Sequence, residues 1–198
     1  MRCESVMIEI ANLRRQEWPP HYLADLTIQT EEGDLLQPRC SLDQTVRNLL
    51  GTLLYEHLGD RRGDELLVGD CGDPECCGVD FAVLHRNQEV ELRWPDPVEW
   101  EHAIARFARE HLHQGTFPRE LKVPERSVLV PLSTYAEEIL RLAAMYLKTR
   151  QRAGDADEKT RKWFEMCRGR YGDLLDRVQQ KTDRSDPWRF EEAPGGQA

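Results

Sequence analysis

The stretch ELLVGDCGDPECCGVDFAVLHRNQEVELRW, Glu65 to Trp94, decides the fold of this chain. Suppose ELLVGDC and CGVDFAVLH are antiparallel strands joined by the four-residue loop Gly72 to Glu75. Paired residue numbers then sum to 147, which sets Leu66 against Phe81 and Val68 against Val79. A tight turn at Asn87-Gln88 carries the chain on with pairs summing to 175, so that Phe81 faces Trp94 and Val83 faces Leu92. The large apolar residues of all three strands share one face, and a slip of one residue would scatter them. A three-stranded meander follows.

The same register describes the other face of the turn. Cys71 lies opposite Cys76 and Gly69 opposite Gly78, while Cys77 points with the core residues. The three cysteines therefore do not converge. Their C-x4-C-C spacing lacks the second CxxC-like pair of a structural zinc site, and nothing in the spacing of His57, His85, His111 and His113 brings a histidine there. Opposed strand cysteines suit disulfide geometry, and that alternative stays open. Asp70, Asp73 and Glu75 oppose thiolate formation, which argues against a catalytic or sensing thiol. Two facing glycines leave a bare backbone trough that another backbone, a ring or a partner must fill. Gly69, Cys71, Asp73, Glu75, Cys76, Gly78 and Asp80 are accordingly the candidate partner-binding residues. No catalytic residue, metal ligand or cofactor is assigned.

Outward from the meander, Val6, Ile8 and Ile10 alternate with more polar positions, as do Tyr22, Ala24, Leu26 and Ile28, the mark of half-buried strands. The run EEGD at 31–34 turns the chain back through Leu35 and Leu36. The sequence SLDQ at 41–44 is a capping box, followed by an apolar stripe of Val46, Leu49, Leu50, Leu53, Leu54 and Leu58. A second helix over 97–114 takes Asp96 as cap and Pro97 as first residue. A short strand is read at SVLV, 127–130. A third helix is expected to start at Thr134 with Glu137 as capping partner, and a fourth to follow the GDAD break at 154–157. These last two helices make an αα-hairpin, read as a lid or a dimerisation arm.

Charge is distributed unevenly. Residues 1–100 carry 9 basic and 20 acidic side chains, a net of −11, whereas 101–198 carry 18 and 16, a net of +2. A chain of net charge −9 suits a basic or neutral partner better than nucleic acid or an anionic membrane. No long apolar run or signal-peptide pattern is present, so a cytoplasmic location is expected, where six irregularly spaced cysteines are no disulfide framework. Cys3, Cys40 and Cys167 look like small core residues. EHLH at 110–113 lacks the spacing of a helical metal pair, and the basic run KTRQR at 148–152 with Lys159, Arg161 and Lys162 reads as a solvated patch. No nucleophile elbow, P-loop or dinucleotide fingerprint occurs.

The segment from Leu66 to Trp94 resembles a hairpin of uncharacterised bacterial proteins, in which a Cys-Gly-Asp-Pro-x-Cys-like turn leads to a strand and then to a strand ending in tryptophan. Cys77 is an extra cysteine relative to that pattern. The resemblance implies a bacterial family and the meander, and it brings no activity with it. Together these readings give an α+β chain: an antiparallel sheet of an N-terminal hairpin plus the three-stranded meander, packed by two amphipathic helices. The expected divisions are an α+β domain over 1–132, a helical hairpin arm over 133–180 and a flexible tail over 181–198. The leading functional expectation is a non-catalytic acidic protein-binding module, immunity-type or regulatory, with residues 134–180 a candidate homodimer contact. The alternative is a metal- or thiol-dependent enzyme that uses Cys71 and Cys76 with a histidine.

Overall fold

Period-two alternation builds the first sheet. Strand β1 (Val6–Glu17) pairs antiparallel with β2 (Pro20–Thr30), which pairs with β3 (Gly33–Ser41). In this computed structural model, which describes residues 2–17, 20–54, 66–68, 81–96, 98–99, 102–103 and 124–190, Val6, Ile8, Tyr22, Ala24, Leu26, Ile28 and Leu35 are buried on one face. The β2–β3 turn requires its glycine, because Gly33 sits at φ 125°, a region that residues with a Cβ rarely occupy. Two bulges bend the sheet. One lies between Ala11 and Arg14, where Asn12 takes φ 53° and Leu13 turns into the core. The other lies on β3 between Gln37 and Cys40 and includes Pro38, at home on an edge strand because it has no N–H to donate.

The second sheet is a separate antiparallel sheet of four strands, β4 (Leu66–Val68), β5 (Phe81–Arg86), β6 (Glu89–Pro95) and β7 (Glu125–Pro131), in that order. The β5–β6 pairing is the expected one: Ala82 faces Arg93 and Val83 faces Leu92 around the Asn87-Gln88 turn. The β4–β5 register differs by two. Leu66 pairs with Val83 and Val68 with Phe81, where Phe81 and Val79 were expected. A two-residue shift preserves which face each side chain occupies, so hydrophobic alternation cannot detect it. Only the assumed loop length set the 147 register. The strand expected at 127–130 is β7, a full fourth strand paired along β6. The two sheets meet at an isolated parallel bridge between Arg2 and Leu129, with Cys3 N–H donating to Leu129 C=O at 2.8 Å.

Four helices are described. Helix α1 (Leu42–Leu54) buries the expected stripe of Val46, Leu49, Leu50 and Leu53. Gln44 does not close the expected capping box, because its amide runs along the helix and donates to Asn48 at 2.7 Å. Of the helix expected over 97–114 only its start is described: Asp96 Oδ1 accepts from the N–H groups of Val98 and Glu99, and Ala103 is buried. Helix α2 (Leu132–Arg152) starts two residues before Thr134, directly from β7. Its first N–H, on Leu132, donates to the Gln88 carbonyl of the β5–β6 turn at 2.8 Å, so a hairpin tip replaces the side-chain cap. The helix expected after GDAD is two, α3 (Glu158–Met166) and α4 (Arg168–Asp183), with Cys167 between them and Tyr171 off helical geometry at φ −125°, ψ 30°.

Helix α2 is central. It touches α1, α3, α4, β1, β6 and β7, and Tyr135, Ala136, Ile139, Leu140, Ala143 and Tyr146 share one hydrophobic cluster with both sheets. The helices that sequence placed in an arm thus complete the core. Where α2 passes the outer edge of β1, Glu138 Oε2 accepts from Ile8 N–H at 3.2 Å and Arg141 donates to Ile8 C=O at 2.5 Å, the two side chains being paired at 2.8 Å. No helix among the described residues is long and apolar enough to cross a membrane.

Candidate functional site

Gly69, Cys71, Asp73, Glu75, Cys76, Gly78 and Asp80 lie outside the described residues, as does the histidine-rich EHLH segment. The oppositions of Cys71 with Cys76 and Gly69 with Gly78 came from the 147 register, which β4 and β5 do not follow as far as Val68 and Phe81. The other cysteines, Cys3, Cys40 and Cys167, are buried free thiols, and burial pushes the Cys167 thiol up to about 12, so it stays protonated at neutral pH. Among the described residues no three His, Cys, Asp or Glu side chains are grouped to hold a metal ion. His85 Nε2 lies 2.6 Å from the Thr52 carbonyl, and the Thr52 hydroxyl is 2.8 Å from that of buried Tyr135, which ties β5 to the end of α1 and to α2.

The densest polar cluster among the described residues is a buried junction of α1, α2, β2 and the α2–α3 connection. Arg150 donates to Asp43 Oδ1 at 2.6 Å, to Asp155 Oδ1 at 2.6 Å, to the Asp155 carbonyl at 2.9 Å and to the Tyr146 hydroxyl at 2.9 Å. Tyr146 contacts Asp43 at 2.5 Å and Asp157 at 2.8 Å, and Asp43 Oδ2 accepts from the Tyr22 N–H at 2.8 Å. Burial, then the Asp43 charge, raise the Tyr146 hydroxyl far above its ordinary range. Burial alone would raise Asp157 as well, but hydrogen bonds from Thr160 N–H, the Thr160 hydroxyl and Tyr146, with the Arg47 charge, outweigh it and hold its carboxyl below the usual range. Asp157 is thus both the cap of α3, as the GDAD break suggests, and a member of the junction. Each carboxylate has partners within the protein. The cluster is a lock between elements, with no free group aimed at a substrate.

Over this junction lies the segment Ser185–Phe190, which is neither helix nor strand. The three N–H donors of Lys148 hold the carbonyls of Thr182, Asp183 and Ser185 at 2.7, 2.9 and 2.6 Å. Trp188 N–H donates to the Thr149 hydroxyl at 3.2 Å, and its ring packs against the core. Phe190 covers Tyr22, ring centroids 5.5 Å apart, while the Arg150 guanidinium sits 4.7 Å from the centroid of the same Tyr22 ring. Between segment and helix a groove of about 490 Å³ remains, lined by Thr149, Arg152 and Ala153 on α2 and by Asp186, Trp188, Arg189 and Phe190. Sequence gave only the two aromatic residues as a signal for this docking.

The outward face of the first sheet differs in character. Met7, 46 % exposed, stands in a row with Gln29 and exposed Asp34 across the three strands, and exposed Glu9 pairs with Thr27 beside it. Residues 3–13 and 16–38 contain no Lys or Arg, yet they include Glu4, Glu9, Asp25, Glu31, Glu32 and Asp34. Glu9 accepts from Gln29 at 3.1 Å and Glu31 from Glu4 N–H at 3.3 Å, neutral donors that leave the negative charge in place. Among the described residues, Arg152, Lys159, Lys162 and Arg189 are exposed on the helical side. Comparison with protein-family models, with curated proteins and with solved structures gave no match, so a functional reading rests on these surfaces.

Proposed function

We propose that this chain is a non-catalytic protein-binding module that presents the acidic outer face of its first sheet to a basic partner, the role of an immunity-type or regulatory protein in a bacterial cytoplasm. The observation that supports it is the open sheet face itself: a three-stranded surface with an exposed methionine, ringed by carboxylates and free of Lys and Arg over residues 3–13 and 16–38. An apolar centre excludes water on contact, and surrounding charge of one sign speeds encounter with the opposite sign and rejects like-charged proteins. The test is affinity capture from extracts of the source cell on the immobilised chain at low and high salt. Wild-type protein captures a basic partner that high salt releases, and Glu9→Lys/Asp34→Lys abolishes capture without lowering Tm. Capture undiminished by that charge reversal removes the reading. Cys71→Ser and Cys76→Ser leave capture intact; its loss in those variants, with stability unchanged, transfers the function to the cysteine turn and to the thiol- or metal-dependent alternative.

A further inference from the structure

The chain's own residues 185–190 are seated on the protein in the manner of a bound peptide. Their contacts are of two kinds. The first reads backbone: Lys148 takes the Ser185 carbonyl, and the Thr149 hydroxyl accepts the Trp188 N–H. The second reads two aromatic side chains two positions apart, both turned onto the protein. Trp188 is half-buried against the core, and Phe190 lies on the Tyr22 ring. Backbone bonds with pockets for alternate side chains are the logic by which proteins recognise extended segments.

The fit is loose. A groove of about 490 Å³ stays open between the segment and the end of α2, and Phe190 is still 37 % exposed. Neither Arg152 nor Arg189, at the rim, has an ion-pair partner among the described residues. Yet the platform below is rigid: Tyr22 is fully buried, its ring backed by Arg150, which the junction holds by four hydrogen bonds. A firm platform whose occupant leaves its own ring more than a third exposed is one from which a better-fitting occupant displaces it.

We infer that the slot formed by Lys148, Thr149 and Tyr22 is a recognition site for an extended protein segment carrying two aromatic residues at positions i and i+2, and that residues 185–190 occupy it in cis as a self-inhibitory strap. The strap is present at high effective concentration because it is part of the chain, so an outside segment binds only in competition with it. This site lies on the helical side and is independent of the acidic sheet face.

The probe is a fluorescein-labelled hexapeptide of the strap sequence, Ser-Asp-Pro-Trp-Arg-Phe, titrated by anisotropy into the full chain. Trp188→Ala/Phe190→Ala, which removes both aromatic cis anchors and leaves only the backbone bonds, binds the peptide at least tenfold more tightly than wild type. Adding Thr149→Val to that variant weakens binding about three- to tenfold, the effect of one lost hydrogen bond. Phe190→Ala alone gives the same order with a smaller gain and serves if the double variant is too unstable. Equal binding to wild type and to the opened variants places the peptide elsewhere and overturns the inference, as does absence of binding to all of them. Neither outcome touches the sheet-face reading, whose variants lie on β1 and β3.

Discussion

Replacing Arg150 with methionine tests the junction most directly. The guanidinium is 9 % exposed and answers carboxylates of Asp43 and Asp155, themselves 9 % and 20 % exposed, as well as the Tyr146 hydroxyl. Methionine keeps the aliphatic stem and removes every donor. Removing one partner of a buried ion pair costs about 3–5 kcal/mol, because the other charge is left without compensation. Arg47, 3.5 Å from Asp157, and Arg15, 3.9 Å from Asp155, remain in place and favour the lower half of that range. At about 2–4 °C per kcal/mol for a chain of this size, that lower half of the range lowers Tm by roughly 6–16 °C. Acidity supplies a second signature. In the wild type, Asp157 has a folded pKa below its unfolded value of about 3.9, so its contribution is full above that pH and is lost as the pH falls through the lower folded value. In the variant a buried negative charge that has lost its cation disfavours the folded state, and acidification, by removing charge, relieves that cost. The two stability curves therefore converge on acidification. Urea unfolding followed by circular dichroism at pH 7.5 and 4.5 measures the gap at each pH. A loss under about 1 kcal/mol at pH 7.5, well short of the buried-pair range, refutes the account. So does an equal gap at both pH values.

Two further outcomes follow from local geometry. Asn87 holds φ 60° at the first position of the β5–β6 turn, so Asn87→Gly leaves thermal stability unchanged or raised, whereas Asn87→Val lowers it by about 1–2 kcal/mol in the same unfolding assay; equal stability of the two variants contradicts the turn. Iodoacetamide at pH 8, with the modified sites located by peptide mass spectrometry, leaves Cys3, Cys40 and Cys167 unlabelled in the native protein and labels all three in urea; rapid native labelling of Cys167 contradicts its burial.

What could be read from the sequence was whatever repeats over a short distance. Alternation of Val6, Ile8 and Ile10 against polar residues locates β1, the stripe from Val46 to Leu53 locates α1, and Asn87-Gln88 fixes the β5–β6 register because a two-residue turn leaves no slack. The β4–β5 register escaped because faces survive a shift of two and the loop was free to differ in length. The start of α2 escaped because its cap is a carbonyl from Gln88, far away in sequence. The junction was invisible for the same reason: Asp43 and Arg150 are 107 positions apart, and each alone looks like an ordinary charge on an amphipathic helix. Lys148 and Arg150 belonged to a run that read as a solvated patch, yet one holds the carbonyls at the end of α4 and the other anchors the core. The acidity of the N-terminal half was plain in composition, and the fold adds that Glu9 and Asp34 share the outward face of the first sheet.

An uncovered strand edge invites other chains to add to it, and β1 opens with Val-Met-Ile-Glu-Ile, a sequence well suited to such growth. At Ile8 the invitation is withdrawn. Glu138 supplies the acceptor and Arg141 the donor that an incoming strand would have offered, so a salt-bridged pair on a helix impersonates one residue of a missing neighbour. Counterfeiting a strand with two side chains closes the edge at that residue against an added chain, while Met7 beside it stays exposed on the face of the sheet.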